Sequence, residues 1–328
     1  MARRSRGAGR GGLRMSDVRV EWVAEDPASR LVLDLAERVA PTSTNLLITG
    51  ESGTGKDQLA RFIHERGPRH DAPYQKIDCA SLPPELVESE LFGHERGAFT
   101  GADEIKRGRL EIAGRGTLVL DEVAALALPV QAKLLRVLEE RRFEHLGGTE
   151  PLRMEARVVA LTNANLERAV AEHRFREDLF FRLNVLTIQV PPLRDRPGDL
   201  LPLAAHLLRR LGPVHGRAEA RLDAEAQGAL SAYPWPGNVR ELKNALERAL
   251  VFAQHDVLGL ADLPNSVRAA GASGRGAAPG NLRSLEEIEK EAIAATLEAT
   301  RYKISRAAEI LGISRKTLLE KRKKYGLL

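Results

Sequence analysis

The sequence predicts an α/β protein: a three-layer domain on a mostly parallel sheet, a small helical domain after it, and an all-α module at the C-terminus. Three observations carry this. Strand-like and helix-like segments alternate from residue 17 to about residue 194. A glycine-rich stretch, Gly50-Glu51-Ser52-Gly53-Thr54-Gly55-Lys56, sits between an apolar run and a helical pattern. Beyond Pro191-Pro192 no strand pattern returns, and residues 284–328 are helical and basic.

The elements follow in order. Asn45–Thr49 is a short apolar run, read as a buried strand. Lys56–Arg66 is a helix with Leu59, Ala60, Phe62 and Ile63 on one side. Gln75–Asp78, Thr117–Leu120, Arg157–Leu161 and Val185–Val190 are further strands, with helical stretches such as Val130–Glu140 between them. The α/β domain is assigned to 17–194 and a strand-free helical domain to 195–263, with helices over Asp199–Leu211, Ala224–Ala232 and Val239–Ala253. Residues 264–283 place Gly271, Gly274, Gly276 and Gly280 among Ala and Ser, the composition of a flexible linker. The module 284–328 opens on a capping box, Ser284-Leu285-Glu286-Glu287, with Leu285, Ile288, Ile293 and Leu297 along one stripe. Two more helices follow, Ser305–Leu311 and Arg315–Tyr325. Residues 1–16 read as a disordered basic tail, and no internal repeat is visible.

Composition narrows the class. The 328 residues are 43% apolar and 29% charged, as in a globular chain of two or three domains. No apolar run approaches the roughly 20 residues of a membrane helix, and the Arg/Gly-rich N-terminus lacks the apolar stretch of a secretory signal. One cysteine, Cys79, suits a reducing cytoplasm. The net charge of +5 is unevenly spread: residues 1–14 carry five Arg and no acid, 281–328 carry eleven basic residues against seven acids, and 15–263 is left slightly acidic. A basic C-terminal module on an acidic body points to nucleic acid met at the end of the chain.

The glycine-rich stretch has the spacing of a phosphate-binding loop. Gly53 and Gly55 let successive N–H groups converge on one anion, the following helix adds its N-terminal partial charge, and Lys56 adds a full one. Leu118-Val119-Leu120-Asp121-Glu122 ends a strand in two acids, where ligands of parallel sheets sit. Asp121 there is placed to hold Mg²⁺, and Glu122 to polarise a water for attack on a γ-phosphate. Asn163, after Thr162, ends the next strand and can orient the same water, although Asn is also a common turn residue. Arg176 and Arg182 by themselves read as surface arginines; an ATPase of this kind needs positive charge at the γ-phosphate, often supplied in trans. Arg240, in the first turn of the helix opened by Trp235-Pro236-Gly237-Asn238, can reach a nucleotide from the lid side. Gly97-Ala98-Phe99-Thr100-Gly101-Ala102 permits a tight hairpin whose exposed Phe99 suits a protein contact. A buried structural thiol is the reading for Cys79. The histidines, His94 included, show no metal spacing.

From about Val23 to Leu328 these residues resemble the bacterial enhancer-binding proteins, AAA+ activators of sigma-54 RNA polymerase. Gly97–Ala102 matches their GAFTGA loop letter for letter. The resemblance implies that Gly50–Lys56, with Asp57 after it, is Walker A and that Asp121 and Glu122 are Walker B. It further makes Thr162 and Asn163 sensor I, Arg176 and Arg182 paired arginine fingers, Arg240 sensor II, and Phe99 and Thr100 the sigma contact. It implies ring hexamers with ATP between subunits. Two positions depart from the pattern. Asp57 stands where the family usually has Glu, so no hydroxyl is offered to Mg²⁺ there. Asp78 stands where the family usually has an Asn that restrains the catalytic Glu, which puts the resting-state switch in doubt.

In the C-terminal module, Ser305–Leu311, the turn Gly312-Ile313-Ser314 and the basic helix from Arg315 form a helix-turn-helix pattern, resembling the Fis-type domain of the same activators. Ser314 is the expected N-cap. Arg315 and Lys316 are the expected base readers, and Lys321, Arg322, Lys323 and Lys324 the expected phosphate contacts.

The expected protein is therefore a cytoplasmic bacterial activator that binds enhancer DNA, dimerises through its C-terminal module, and hydrolyses ATP in a ring to remodel the closed complex of sigma-54 polymerase. The alternatives are a regulator of ordinary promoters, expected to lack the GAFTGA loop, and an AAA+ motor on other substrates, against which the Fis-type tail argues. The roughly 20 residues before Val23 are too few for a folded sensor, so regulation is expected from a partner in trans, from expression level, or from a domain beyond this chain.

Overall fold

The computed structural model describes residues 22–274, 289–290, 293–294, 296–297, 300 and 302–326. The basic tail and the capping box Ser284–Glu287, with Ile288, lie outside the described residues. The chain divides into two units, up to Gly271 and from Ala272.

The first unit is built on a five-stranded parallel sheet. Its strands are β1 (Leu46–Thr49), β2 (Tyr74–Asp78), β3 (Thr117–Asp121), β4 (Arg157–Thr162) and β5 (Leu186–Gln189). Their order across the sheet is β2-β3-β4-β1-β5. All five agree with the expected strands to within one residue at each end. β4 is buried along its whole length and β3 along all but its last residue, as expected of a parallel sheet covered on both faces. One layer packs Leu59, Ala60 and Ile63 of α2 (Lys56–Arg66), with Val32 and Ala36 of α1 (Pro27–Val39), against Ile48, Val119, Val159 and Leu161. The other sets α3 (Pro84–Phe92), α4 (Arg109–Ala113) and α5 (Leu128–Glu140) over Leu47, Leu118, Leu120 and Val158. Each buried Leu, Ile or Val among them contributes about 1.5–3 kcal/mol, so the sheet is held from both sides.

α1 was not singled out by the sequence. It starts at a strong signal, an Asp26 cap whose Oδ1 accepts the Ala28 N–H at 2.9 Å, followed by Pro27. Short helices α6 (Leu166–Ala171) and α7 (Glu177–Leu183) precede β5.

The helical domain contains α8 (Pro197–Leu211), α9 (Ala224–Ala232), α10 (Asn238–Phe252) and α11 (Asn265–Gly274), packed around Trp235, Leu230, Leu242 and Leu246. Two expectations need correction. The domain is not strand-free: Arg221–Leu222 and Val257–Leu258 pair in parallel. The first ten linker positions after Pro264 form α11. Val267 is buried in the core, and Gly271 lies so close to α9 that a Cβ there would meet Ala229 at 2.7 Å. Gly271 thus serves close packing rather than flexibility.

The second unit is a small helical core of Ile293, Leu297, Ala307, Ala308 and Leu318. Its helices Ile304–Ile310 and Arg315–Lys324 match the expected pair. Among the described residues no helix is long and apolar enough to cross a membrane.

Candidate functional site

The glycine-rich loop joins β1 to α2, at the carboxyl end of the sheet. Gly50, Gly53 and Gly55 have φ of +149°, +77° and +104°. Gly53 also has no room for a side chain: a Cβ would fall 2.5 Å from the Gly237 carbonyl of the lid. Lys56 is buried and donates to the carbonyls of Gly50 (2.8 Å) and Glu51 (3.2 Å), with Glu122 at 3.9 Å. Burial lowers its pKa, against the pull of Glu122 and Asp121. Thr54 closes the turn by donating its hydroxyl to Glu51 O at 2.9 Å.

Asp121 and Glu122 arrive at the same end on β3. Glu122 adopts φ +52°, a left-handed conformation costing a non-glycine residue about 1–3 kcal/mol and typical of working sites. Its Oε2 accepts the Asn163 N–H at 3.1 Å, joining the ends of β3 and β4. Thr162 is fully buried and accepts the Ala164 N–H. Asp78 lies opposite Asp121 in the β2–β3 register, exposed, and accepts the Ala80 N–H at 3.0 Å. Lys76 reaches from β2 to Asp57 Oδ1 and Asp121 Oδ2, both at 2.8 Å. Burial works against its charge, but those two carboxylates outweigh it and raise its pKa. Cys79 is buried, its thiol pushed up to about 12 by burial and then by Asp78.

The lid is hooked onto the loop. The Val239 N–H donates to Gly53 O (2.9 Å) and Arg240 Nη1 to Ser52 Oγ (2.7 Å). Arg240 thus lies in the first turn of α10, bonded to the phosphate loop. Three partners were not foreseen. Arg194 grips Glu51 through both amino groups, at 2.5 and 2.9 Å. Together with Asn238 it brings the Glu51 carboxyl down to about 2. Asn238, buried at φ +53°, donates to Glu51 and Ser52 and accepts the Leu193 N–H. Arg196 donates to Thr54 O at 2.6 Å and lies over the Trp22 ring. A cleft of about 410 Å³ opens among Trp22, Thr54, Gly55, Arg196, Leu207 and Val239. The buried Trp22 Nε1 has no hydrogen-bond partner there. These contacts join residues far apart in sequence, and only the run of Arg194 and Arg196 after Pro191-Pro192 hinted at them.

Arg176 immediately precedes α7 and Arg182 lies in its last turn. Arg176 pairs with Asp178 (2.7 Å) and Arg182 donates to Leu138 O (3.2 Å). Neither bond is to the phosphate loop.

The Gly97–Ala102 loop caps a ribbon of Gly93–His94 and Lys106–Arg107. Gly97 and Gly101 have φ of +80° and +99°, and the Gly97 N–H closes the loop on Ala102 O at 2.8 Å. The Phe99 ring stands edge-on to His94 at 4.9 Å yet remains 42% exposed. Thr100 is exposed beside it and Ala102 is buried. His145 holds the stem: its ring nitrogens contact Glu95 (2.7 Å) and Glu111 (3.1 Å). Burial opposes its charge, but the two carboxylates win and raise its pKa. A raised folded-state pKa stabilises fully below the unfolded value, about 6.5, and the contribution is lost as pH rises through the folded value. Proteolysis of the native chain within 95–111 is therefore expected to quicken as pH rises above about 6.5 and through the folded value, and not in His145→Gln.

In the second unit, Gly312 turns at φ +67° and Ser314 Oγ accepts the Thr317 N–H at 3.1 Å, the expected cap. Arg315, Lys316, Lys323 and Lys324 are exposed and Arg322 half-buried. Lys321 differs from the expectation of a phosphate contact. It pairs with Glu289, which also accepts the Tyr325 hydroxyl at 2.6 Å, and so ties the basic helix to an earlier one.

Comparison with known proteins follows the same domain order. The Sigma-54 interaction domain family matches residues 22–189, the AAA+ ATPase lid domain 194–279, and the Fis family of bacterial regulatory proteins 284–325. The chain is 42% identical to the regulatory protein AtoC of Escherichia coli (strain K12), over 93% of this chain and 68% of that protein. It is 40% identical to the transcriptional regulatory protein FlbD of Caulobacter vibrioides, over 95% and 72%. The crystal structure of NtrX from Brucella abortus in complex with ATP superposes with a TM-score of 0.71 at 35% identity, over 93% of this chain and 69% of that one. The chain belongs to the sigma-54-dependent transcription activators, as an ATP-binding AAA+ ATPase with a helical lid and a Fis-type helix-turn-helix.

Proposed function

We propose that the chain works as a ring, in its active form a hexamer, in the bacterial cytoplasm, and that ATP turnover drives the Gly97–Ala102 loop against sigma-54 in the closed promoter complex. The observation that carries this is the loop itself: two left-handed glycines closing a turn that holds Phe99 and Thr100 out from a ribbon braced by His145. ATP is placed with its phosphates on Gly50–Lys56 and its base in the Trp22 cleft. Lys56 leaves its loop carbonyls for the phosphates, and Arg240 closes from the lid. Glu122, aimed by Asn163 and backed by Thr162, takes a proton from water as the water oxygen bonds to the γ-phosphorus and the bond to the bridging oxygen breaks. Arg176 and Arg182 reach the same phosphate from the neighbouring subunit.

Mg²⁺ fits the donor set. Asp121 and Asp57 already gather two carboxylate oxygens around one cation, the Lys76 ammonium, and hard divalent cations take oxygen ligands. Asp121 would hold the ion, which supplies charge neutralisation at the phosphates. Asp78 is proposed as the residue that sets how far Glu122 is restrained at rest. The Fis-type module is proposed to dimerise, read enhancer bases through Arg315 and Lys316, and meet phosphates through Lys323, Lys324 and Arg322. A regulatory protein acting in trans completes the proposed partners.

Two experiments test this. Thr100→Ala is expected to keep ATPase activity within about twofold, as a surface substitution should, and to abolish ATP-dependent open-complex formation on a sigma-54 promoter; normal promoter melting by this variant would refute the loop's role. Lys323→Ala is expected to weaken binding to specific and scrambled duplexes alike, and to reduce the slope of log affinity against log salt by about one. Fluorescence anisotropy at several salt concentrations measures it.

A further inference from the structure

Four carboxylates meet at the carboxyl ends of β2 and β3: Asp57, Asp78, Asp121 and Glu122. Lys56 faces Glu122 at 3.9 Å. Lys76 is the cation of the other pair, 2.8 Å from both Asp57 and Asp121. Lys76 and Asp78 are two apart on β2 and so share one face of the strand. That strand is the edge of the sheet, and the Lys76 side chain keeps 34% of its surface in water. A group so placed can be withdrawn into solvent without breaking the core.

We propose that Lys76 is a tethered competitor for the divalent cation. Its ammonium holds Asp121 and Asp57 together, 2.8 Å from each, and it yields Asp121 when metal and nucleotide load. This rests on Asp121 as the residue that holds the metal. Lys76 then has two effects. It offsets the repulsion among the carboxylates when no metal is present, so the site stays assembled. It also raises the metal concentration needed to load the site, because the metal has to displace an ion pair already made.

The test is Mn²⁺ binding to the purified full chain in the presence of ADP, read by electron paramagnetic resonance. Lys76→Met is expected to tighten Mn²⁺ by about three- to tenfold, the equivalent of one or two partly exposed ion pairs, and Lys76→Arg to stay near the native value. A folding defect lowers affinity, so a gain cannot arise from damage. Lys76→Gln, which keeps a polar stem, gives the same reading should the Met variant misfold. Affinity unchanged or weakened in both Met and Gln variants overturns the proposal. Asp121→Asn separates the two layers: if it binds Mn²⁺ as tightly as the native chain, the metal reading of Asp121 fails, whereas its loss alongside unchanged Lys76 variants sinks only the competitor role.

Discussion

Subunits carrying Arg176→Ala or Arg182→Ala are expected to hydrolyse ATP about 10³–10⁵-fold more slowly than the native chain, the effect of removing an arginine that meets transition-state charge on the γ-phosphate. The bonds each arginine makes within its own subunit go to Asp178 and to the Leu138 carbonyl, not to the phosphate loop. Mixing therefore discriminates between cis and trans action. Arg176→Ala subunits retain an intact phosphate loop, and Lys56→Ala subunits retain intact arginines. Mixed rings are expected to recover a sizeable part of native turnover, because some seams pair a good loop with a good arginine. Two inactive proteins that stay inactive together would place the arginines in cis, or outside the reaction. Since Arg176 is bound to an exposed aspartate at rest, Asp178→Ala should not reproduce the loss.

Glu122→Gln is expected to keep ATP bound and to lower turnover by roughly 10²–10⁴-fold, the usual contribution of a positioned general base. The amide keeps the shape and still accepts the Asn163 N–H through its oxygen, so binding and oligomer assembly should survive. Filter binding of radiolabelled ATP alongside phosphate release measures both. Turnover within tenfold of native would remove Glu122 from the chemistry. Loss of binding as well would show that its 3.9 Å approach to Lys56 matters for building the loop, not for activating water.

Much of this site could be read before any coordinates. The inner strands β1, β3 and β4 were legible to within a residue because each is a short apolar run ending in a polar group, as at Asp121. The phosphate loop was legible because its glycines fall where the backbone needs φ above zero. The hexapeptide loop was legible for the same reason at Gly97 and Gly101. The rest depends on contacts across the fold. Lys76 looks like a solvated strand residue until α2 and β3 bring Asp57 and Asp121 to it. Arg194 and Glu51 are 143 positions apart. His145 is unremarkable in sequence, and only the fold puts Glu95 on one side of it and Glu111 on the other. Lys321 read as one of four equivalent basic residues, and its pairing with Glu289 sets it apart. α11 was taken for linker because Gly271 signals flexibility locally, whereas in the fold it permits a helix crossing against Ala229.

The attachment of α10 to the phosphate loop has a mechanical consequence. The helix has 15 residues, about 22 Å at 1.5 Å per residue. Its first turn is pinned by the Val239 and Arg240 bonds, and its last turn exposes Val251 and Phe252. It is a lever with its fulcrum at the fuel. Between those ends Leu242, Leu246, Ala249 and Leu250 bury it in the lid core, so a strain set up at the loop is passed to the whole lid as to one rigid body.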